Sequence, residues 1–303
     1  MKKFFSVDND FVNSRIDRWF KRKICEVPQS LIERSLRKGD IRVNYNKIKS
    51  AYKLKKEDKI LVKNLNFTNN KNIHKKYIYK PTKKDFSEST NMIIENNDDF
   101  VVINKPSGIP VQSGTNSRRN ILDILANFKE FNNSKPYPVH RLDKETTGIL
   151  IVAKNRKYAQ LFTTLFRIRK IHKIYLGICI GTLKENEGVF DDDLFHYEGK
   201  KKIITNALTT FKVLDKTNNY SLLKLVPQTG RKHQIRKQLL IRGCPILGDD
   251  KYRILKNKSK IKSQLMLHAY KIKFSISEKK YNFEADLPKV FIKTAKEKYL
   301  KNF

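Results

Sequence analysis

The stretch HRLDKETTGILIVAKN, residues 140–155, decides the fold class. Its first half is a polar loop. Residues 148–153 then form a nearly continuous apolar run of the length of a buried strand. From Asn155 a helix follows, with Tyr158, Leu161, Phe162, Leu165 and Phe166 recurring on one face. Outward from this unit, strands outnumber helices. Residues 100–103 read as a short apolar strand entering a turn at Lys105-Pro106-Ser107-Gly108. Residues 173–180, 211–214, 222–226 and 265–274 read as further strands. Residues 121–128 and 233–241 read as helices, the second stopped by Gly243 with Pro245 beyond it. Many strands with few interspersed helices predict an α+β fold on a mixed, largely antiparallel sheet, not a doubly wound parallel one.

A smaller α/β unit precedes it over residues 12–65. Asn13 or Ser14 can cap a helix whose apolar face is Ile16, Trp19, Phe20 and Ile24. Ser30 and Glu33 match a capping box for a second helix through Lys38, and Gly39 stands where a left-handed helix stop belongs. Ile41 and Val43 alternate with polar residues as in a half-buried strand, a turn follows at residues 44–46, and residues 59–62 form another strand. The polar faces carry Arg15, Arg18, Lys21, Arg22, Lys23, Arg34, Arg37 and Lys38. Residues 66–90 read as a lysine-rich linker with a short strand at 77–79, and residues 91–303 as the second domain.

The chain has 303 residues, with 65 Lys and Arg against 30 Asp and Glu, a formal charge of +35. Compositional drift toward Lys, Asn and Ile is visible, but drift alone would also raise Glu. A polyanionic partner explains the imbalance, because each cation set against a phosphate releases a condensed counterion. No apolar run approaches the ~20 residues of a membrane span. The start, MKKFFSVDND, turns acidic without the apolar core of a signal peptide. Cys25, Cys179 and Cys244 are far apart with no C-x-x-C pair, which argues for reduced thiols over a disulfide framework or zinc site. The expectation is a soluble cytoplasmic protein that binds nucleic acid.

Three segments carry candidate chemistry. In 140–148, Asp143 sits in a loop before a buried strand, where scaffolds present reactive groups but where Asp also serves as a plain turn residue. Lys173 and Tyr175 share one face of a strand, reactive or merely amphipathic. The run QTGRKHQIR, 228–236, is a glycine turn feeding a helix start: a phosphate site, or a solvated basic turn.

Taken together and in order, these segments resemble the pseudouridine synthases that modify large-subunit ribosomal RNA and some transfer RNAs. The loop HRLDKETTG matches their H-R-L-D-x-x-T-[ST]-G signature, and NKPSGIPVQSGT (104–115), K-x-Y, QTGRKHQIR, CPILGDDKY and LHA match further elements. The resemblance covers roughly residues 92–275. The stretch Val111-Gln112-Ser113-Gly114 is closest to the branch called large-subunit pseudouridine synthase C, and residues 15–62 resemble the small S-four-like RNA-binding domain. Two departures stand out: Gln238 where the family often has His, and Thr147 where Ser is frequent.

The resemblance implies an enzyme that breaks the bond from ribose to N1 of uracil, turns the base and joins C5 to the same sugar carbon. Nothing is oxidised, so no cofactor or metal is implied. Asp143 is implied as the catalytic carboxylate, attacking the anomeric carbon or taking a proton from the neighbouring sugar carbon. Arg231 is implied as its cationic partner and Tyr175 as the aromatic that stacks on the base. Arg141 is implied to hold a flipped-out uridine, with His140 and Lys173 in support. The basic faces of the first domain, with Arg15, Arg18, Arg34, Arg37 and Lys38, are implied to grip phosphates. The partner is large-subunit ribosomal RNA or an assembling ribosomal particle, and the default state a monomer. Three alternatives remain: a transfer-RNA enzyme of the same family, an RNA-binding assembly protein without activity, and a glycoside hydrolase. The last normally needs two carboxylates, and only Glu145 accompanies Asp143.

Overall fold

The structure is a computed structural model that describes residues 2–8, 11–25, 27–63, 81–82, 92–113, 119–131, 135–198, 201–254 and 263–301. The strand expected at 77–79, most of the expected linker and Gly114 lie outside these residues. The chain divides into two compact units, Met1–Tyr77 and Ile78–Phe303.

The first unit holds strand β1 (Lys2–Ser6), helices α1 (Ile16–Lys23) and α2 (Gln29–Lys38), and strands β2 (Ile41–Val43) and β3 (Lys59–Lys63). Its antiparallel sheet runs β1-β3-β2. Ile16, Trp19, Phe20, Ile32, Leu36, Ile41, Val43, Ile60 and Val62 fill its core, as the helical and alternating patterns require. Gly39 ends α2 at φ 80°. Both expected caps are corrected. The N-cap of α1 is Arg15, without a side-chain bond. The buried carboxylate of Asp17 instead accepts from Arg18 N, from Arg15 Nε and Nη2, and from Gln29 Nε2, tying α1 to α2. Pro28 starts α2 at φ −53°, so Ser30 falls inside the first turn and caps nothing. Strand β1 lies ahead of residue 12, where the domain was expected to begin, and pairs with β3 from Lys2↔Lys63 to Ser6↔Lys59.

The second unit holds β4 (Ile93–Asn96), β5 (Phe100–Lys105), α3 (Ile121–Leu125), β6 (Tyr137–Pro138), β7 (Thr147–Ala153) and α4 (Arg156–Arg167). Then come β8 (His172–Ile180), β9 (Glu187–Glu198), β10 (Lys201–Lys216), β11 (Tyr220–Pro227), α5 (Gln234–Ile241), β12 (Leu267–Ile276), β13 (Lys279–Glu284) and α6 (Lys289–Glu297). One sheet runs β4-β5-β7-β12-β8-β11-β10-β9, with β13 beside β12 and β6 beside β7. Its pairs are antiparallel except β7 with β12. Every residue of β7 is buried. Ile149, Ile151 and Ala153 pack with Phe162 of α4 on one face, and Leu150 and Val152 with Ile121, Ile124 and Leu125 of α3 on the other. A strand covered on both faces has no polar face to show, hence its unbroken apolar sequence.

The parallel junction sits directly behind the Asp143 loop. There His268 faces Thr147 and Ala269 faces Gly148. Gly148 has φ +104°, and a Cβ on it would lie 2.2 Å from the Ala269 carbonyl oxygen, so only glycine fits. His268 is fully buried, and burial drops its pKa to about 4, leaving the ring neutral. Its Nε2 lies 3.2 Å from the Ala285 carbonyl oxygen and its Nδ1 2.8 Å from Thr147 Oγ1. The ring therefore donates to Ala285 and accepts from Thr147. A hydroxyl is what this position uses, and Thr147 supplies it as Ser would.

Candidate active site

The loop that carries Asp143 is stitched to the turn after β5. Lys105 is buried without exposure, and its Nζ donates to the carbonyls of Pro106 (2.7 Å), Ile109 (2.9 Å) and Lys144 (3.0 Å). Gly108 N also donates to Lys144 O at 3.0 Å, and Ser107 Oγ to Glu145 O at 3.1 Å. Burial lowers the Lys105 pKa to about 7, against the opposing pull of Glu145 and Asp143. The unfolded chain holds that proton to the ordinary value of 10.5, so the native state binds fewer protons between about 7 and 10.5. Stability therefore rises with pH through this window. Urea titrations from pH 7 to 9 are expected to show a rise, approaching ~1.4 kcal/mol per pH unit, that Lys105→Met lacks.

Asp143 lies in a cleft of about 690 Å³ whose wall includes Tyr175, Lys173, Arg231, His233 and Arg236. Arg236 Nη1 approaches Asp143 Oδ2 at 3.3 Å, and His233 Nε2 stands 3.5 Å from Oδ1. Arg236 is itself clamped: Nε and Nη2 donate to the two oxygens of Asp249 at 2.6 and 2.7 Å. The Asp249 side chain has no exposure, and its Oδ1 also accepts from the backbone of Lys251 and Tyr252. A two-point fork on a buried carboxylate fixes the guanidinium plane that Asp143 meets.

The cation beside Asp143 is thus Arg236, which corrects the expectation of Arg231. The exposed Arg231 lies on the cleft wall and turns its Nε to the Asn206 carbonyl at 2.9 Å. The cause is the turn. Gln234 Oε1 accepts from Arg231 N and Thr229 Oγ1, His233 takes a left-handed φ of 55°, and α5 starts only at Gln234. Arg231 therefore precedes the reversal, and Arg236 follows it on the buried side of the helix. Gln238, the departure from the family pattern, is wholly buried on α5. It donates to the Ala207 and Phe190 carbonyls and accepts from Thr209 Oγ1, binding the helix to the β9–β10 hairpin.

Tyr175 and Lys173 both face the cleft from β8. Burial, helped by the charge of Asp143, pushes the Tyr175 hydroxyl well above its ordinary pKa, so it stays protonated. Burial lowers Lys173 to about 8, and its Nζ points to the Thr229 carbonyl at 3.5 Å. His140 is held as a neutral ring. Its Nε2 accepts from Ile151 N at 2.8 Å, its ring stacks on Phe166, and burial takes its pKa to about 3. It braces the loop from behind. Exposed Arg141 lies on the rim, joined by Arg167 and Arg169, which the sequence reading did not single out. In the first unit Arg18, Arg34, Arg37 and Lys38 are exposed, whereas Arg15 is paired to Asp17 at 2.6 Å.

The arrangement is an anionic oxygen pair fixed at the floor of a cationic cleft, with an aromatic side chain on the wall. It suits the attack of a carboxylate on a sugar whose base is held against a ring and whose phosphates meet cations.

Comparison with known proteins agrees. Residues 99–240 match the RNA pseudouridylate synthase family. Ribosomal large subunit pseudouridine synthase C of Vibrio parahaemolyticus is 32% identical over 262 residues, spanning 82% of this chain and 79% of that protein. The protein of the same name from Rickettsia felis is 31% identical over 296 residues, spanning 93% and 96%. Among solved structures, Human RNA Pseudouridylate Synthase Domain Containing 4 is 28% identical with a TM-score of 0.61, over 70% of this chain and 95% of that one. Human RNA Pseudouridylate Synthase Domain Containing 1, at 21% identity and a TM-score of 0.57 over 69% and 87%, shares the fold. The cleft and these likenesses lead to one conclusion: the chain belongs to the RNA pseudouridine synthases and is an enzyme that isomerises uridine in RNA.

Proposed function

We propose that the substrate is large-subunit ribosomal RNA and that Asp143 is the catalytic carboxylate. The observation that carries the assignment is the position of Asp143, held between Arg236 and His233 in a cleft that also presents Tyr175. The uridine leaves its stack, its base rests on Tyr175, and Asp143 acts on the ribose, either at the anomeric carbon or at the proton of the neighbouring carbon. The N1–C1′ bond breaks and the C5–C1′ bond forms. The C5 proton is lost and N1 gains one, so the reaction is balanced without a cofactor. The names of the relatives support ribosomal RNA over transfer RNA, and cytoplasmic action by a monomer fits that substrate. Purified protein is expected to convert discrete uridines in large-subunit RNA transcribed in vitro. Conversion confined to transfer RNA would replace the substrate and keep the chemistry.

The first unit, read as an S-four-like RNA-binding domain, supplies sequence-independent grip through Arg18, Arg34, Arg37 and Lys38, all exposed. Deleting residues 1–65 is expected to weaken RNA binding and flatten its salt dependence, by roughly 0.7–0.9 in log–log slope per lost phosphate contact. Filter binding across a salt series measures this. An unchanged slope would move the electrostatic clamp elsewhere.

A further inference from the structure

Arg236 accounts for one oxygen of Asp143. The other faces His233, a residue outside the trio that the family resemblance implied. His233 is held in the left-handed region at φ 55°, a conformation that persists in a non-glycine residue only where the surroundings enforce it. Its Nδ1 lies 2.9 Å from Tyr252 Oη, and its Nε2 3.5 Å from Asp143 Oδ1. Tyr252 is anchored in turn: its backbone N donates to Asp249 Oδ1 at 2.8 Å, and its ring lies 5.0 Å from the Arg236 guanidinium. The buried Asp249 therefore fixes both groups that reach the two oxygens of Asp143, one through a guanidinium and one through a phenol and an imidazole.

We propose that Tyr252 and His233 form a positioning arm for Asp143: the Tyr252 hydroxyl donates to His233 Nδ1, which sets the ring as its Nε2–H tautomer and turns that N–H on Asp143 Oδ1. The inference rests on the reading of Asp143 as the catalytic carboxylate. Burial lowers the His233 pKa to about 4; Arg236, Lys251 and Lys232 act in the same direction and Asp143 opposes them. The ring is neutral near pH 7 and carries one proton, so the nitrogen that holds it matters. The other tautomer would set a nitrogen lone pair against a carboxylate oxygen. An N–H 3.5 Å from one oxygen and Arg236 3.3 Å from the other oppose rotation of the carboxylate. The part assigned to Tyr252 is to select the tautomer, without touching substrate.

The test reads the ring and the reaction separately. Long-range ¹H–¹⁵N spectra of the full-length protein, with His233 assigned by its loss in His233→Gln, are expected to show the Nε2–H pattern. Tyr252→Phe keeps the ring against Arg236 and removes the hydroxyl. It is expected to mix or invert the tautomer and lower kcat on in-vitro-transcribed large-subunit RNA about tenfold, with KM unchanged. His233→Gln, whose amide N–H can replace Nε2–H, is expected to retain more activity than His233→Ala. An Nδ1–H ring in the wild type, or Tyr252→Phe with unchanged kcat, would overturn the proposal. The spectrum is recorded on free protein, so it stands apart from the role of Asp143, which Asp143→Asn decides.

Discussion

Asp143→Asn is expected to lower isomerisation by about 10⁴-fold or more and to leave RNA affinity within roughly threefold. Asn has the same shape, so its amide oxygen still meets Arg236 Nη1, which stands 3.3 Å from Oδ2 in the wild type. What it lacks is the anion that attacks the sugar or takes its proton. Affinity holds because the cations on the rim and on the first unit are unchanged. Single-turnover conversion with saturating enzyme separates the two quantities. Near-normal conversion would remove Asp143 from the chemistry.

The second large effect concerns stability. Arg236→Met is expected to cost about 3–5 kcal/mol, because it leaves Asp249 as a buried carboxylate without its cation. Two of the bonds to Asp249 disappear, those at 2.6 and 2.7 Å, while the backbone donors of Lys251 and Tyr252 remain. Arg231→Met, only five positions earlier, is expected to cost under ~0.5 kcal/mol, as for other exposed positions. Urea denaturation of the two variants compares them directly. Equal costs would mean that the clamp on Arg236 contributes nothing to the fold.

That contrast shows where the sequence stopped being legible. QTGRKHQIR offered two arginines, and spacing alone does not say which one turns inward. The choice depends on the left-handed His233 and on Gln234 tying back the turn, and neither leaves a periodic trace. By contrast, β7 and α4 were legible because burial on two faces or on one stripe writes itself into apolar periodicity. Strand β9, with Asp191, Asp192 and Asp193 in its middle, was missed. Its inner face shows only Phe190 and Leu194 as buried hydrophobics, and its pairing with β10 satisfies a backbone that the charges disguise. Asp249 and Tyr252 lie inside the stretch CPILGDDKY, but their roles emerge only when β8 and the start of α5 bring distant segments together. Lys105 belongs to a turn in the sequence, and nothing in its neighbours there marks it as a lysine whose amino group is fully buried.

This chain is proposed to isomerise uridines in large-subunit ribosomal RNA through Asp143. Site-resolved pseudouridine mapping of that RNA, from cells with and without the gene, tests it most directly. Discrete sites are expected to vanish without the gene, return with the wild type, and stay absent with Asp143→Asn. An identical large-subunit map in the two strains, or sites restored by Asp143→Asn, would contradict it.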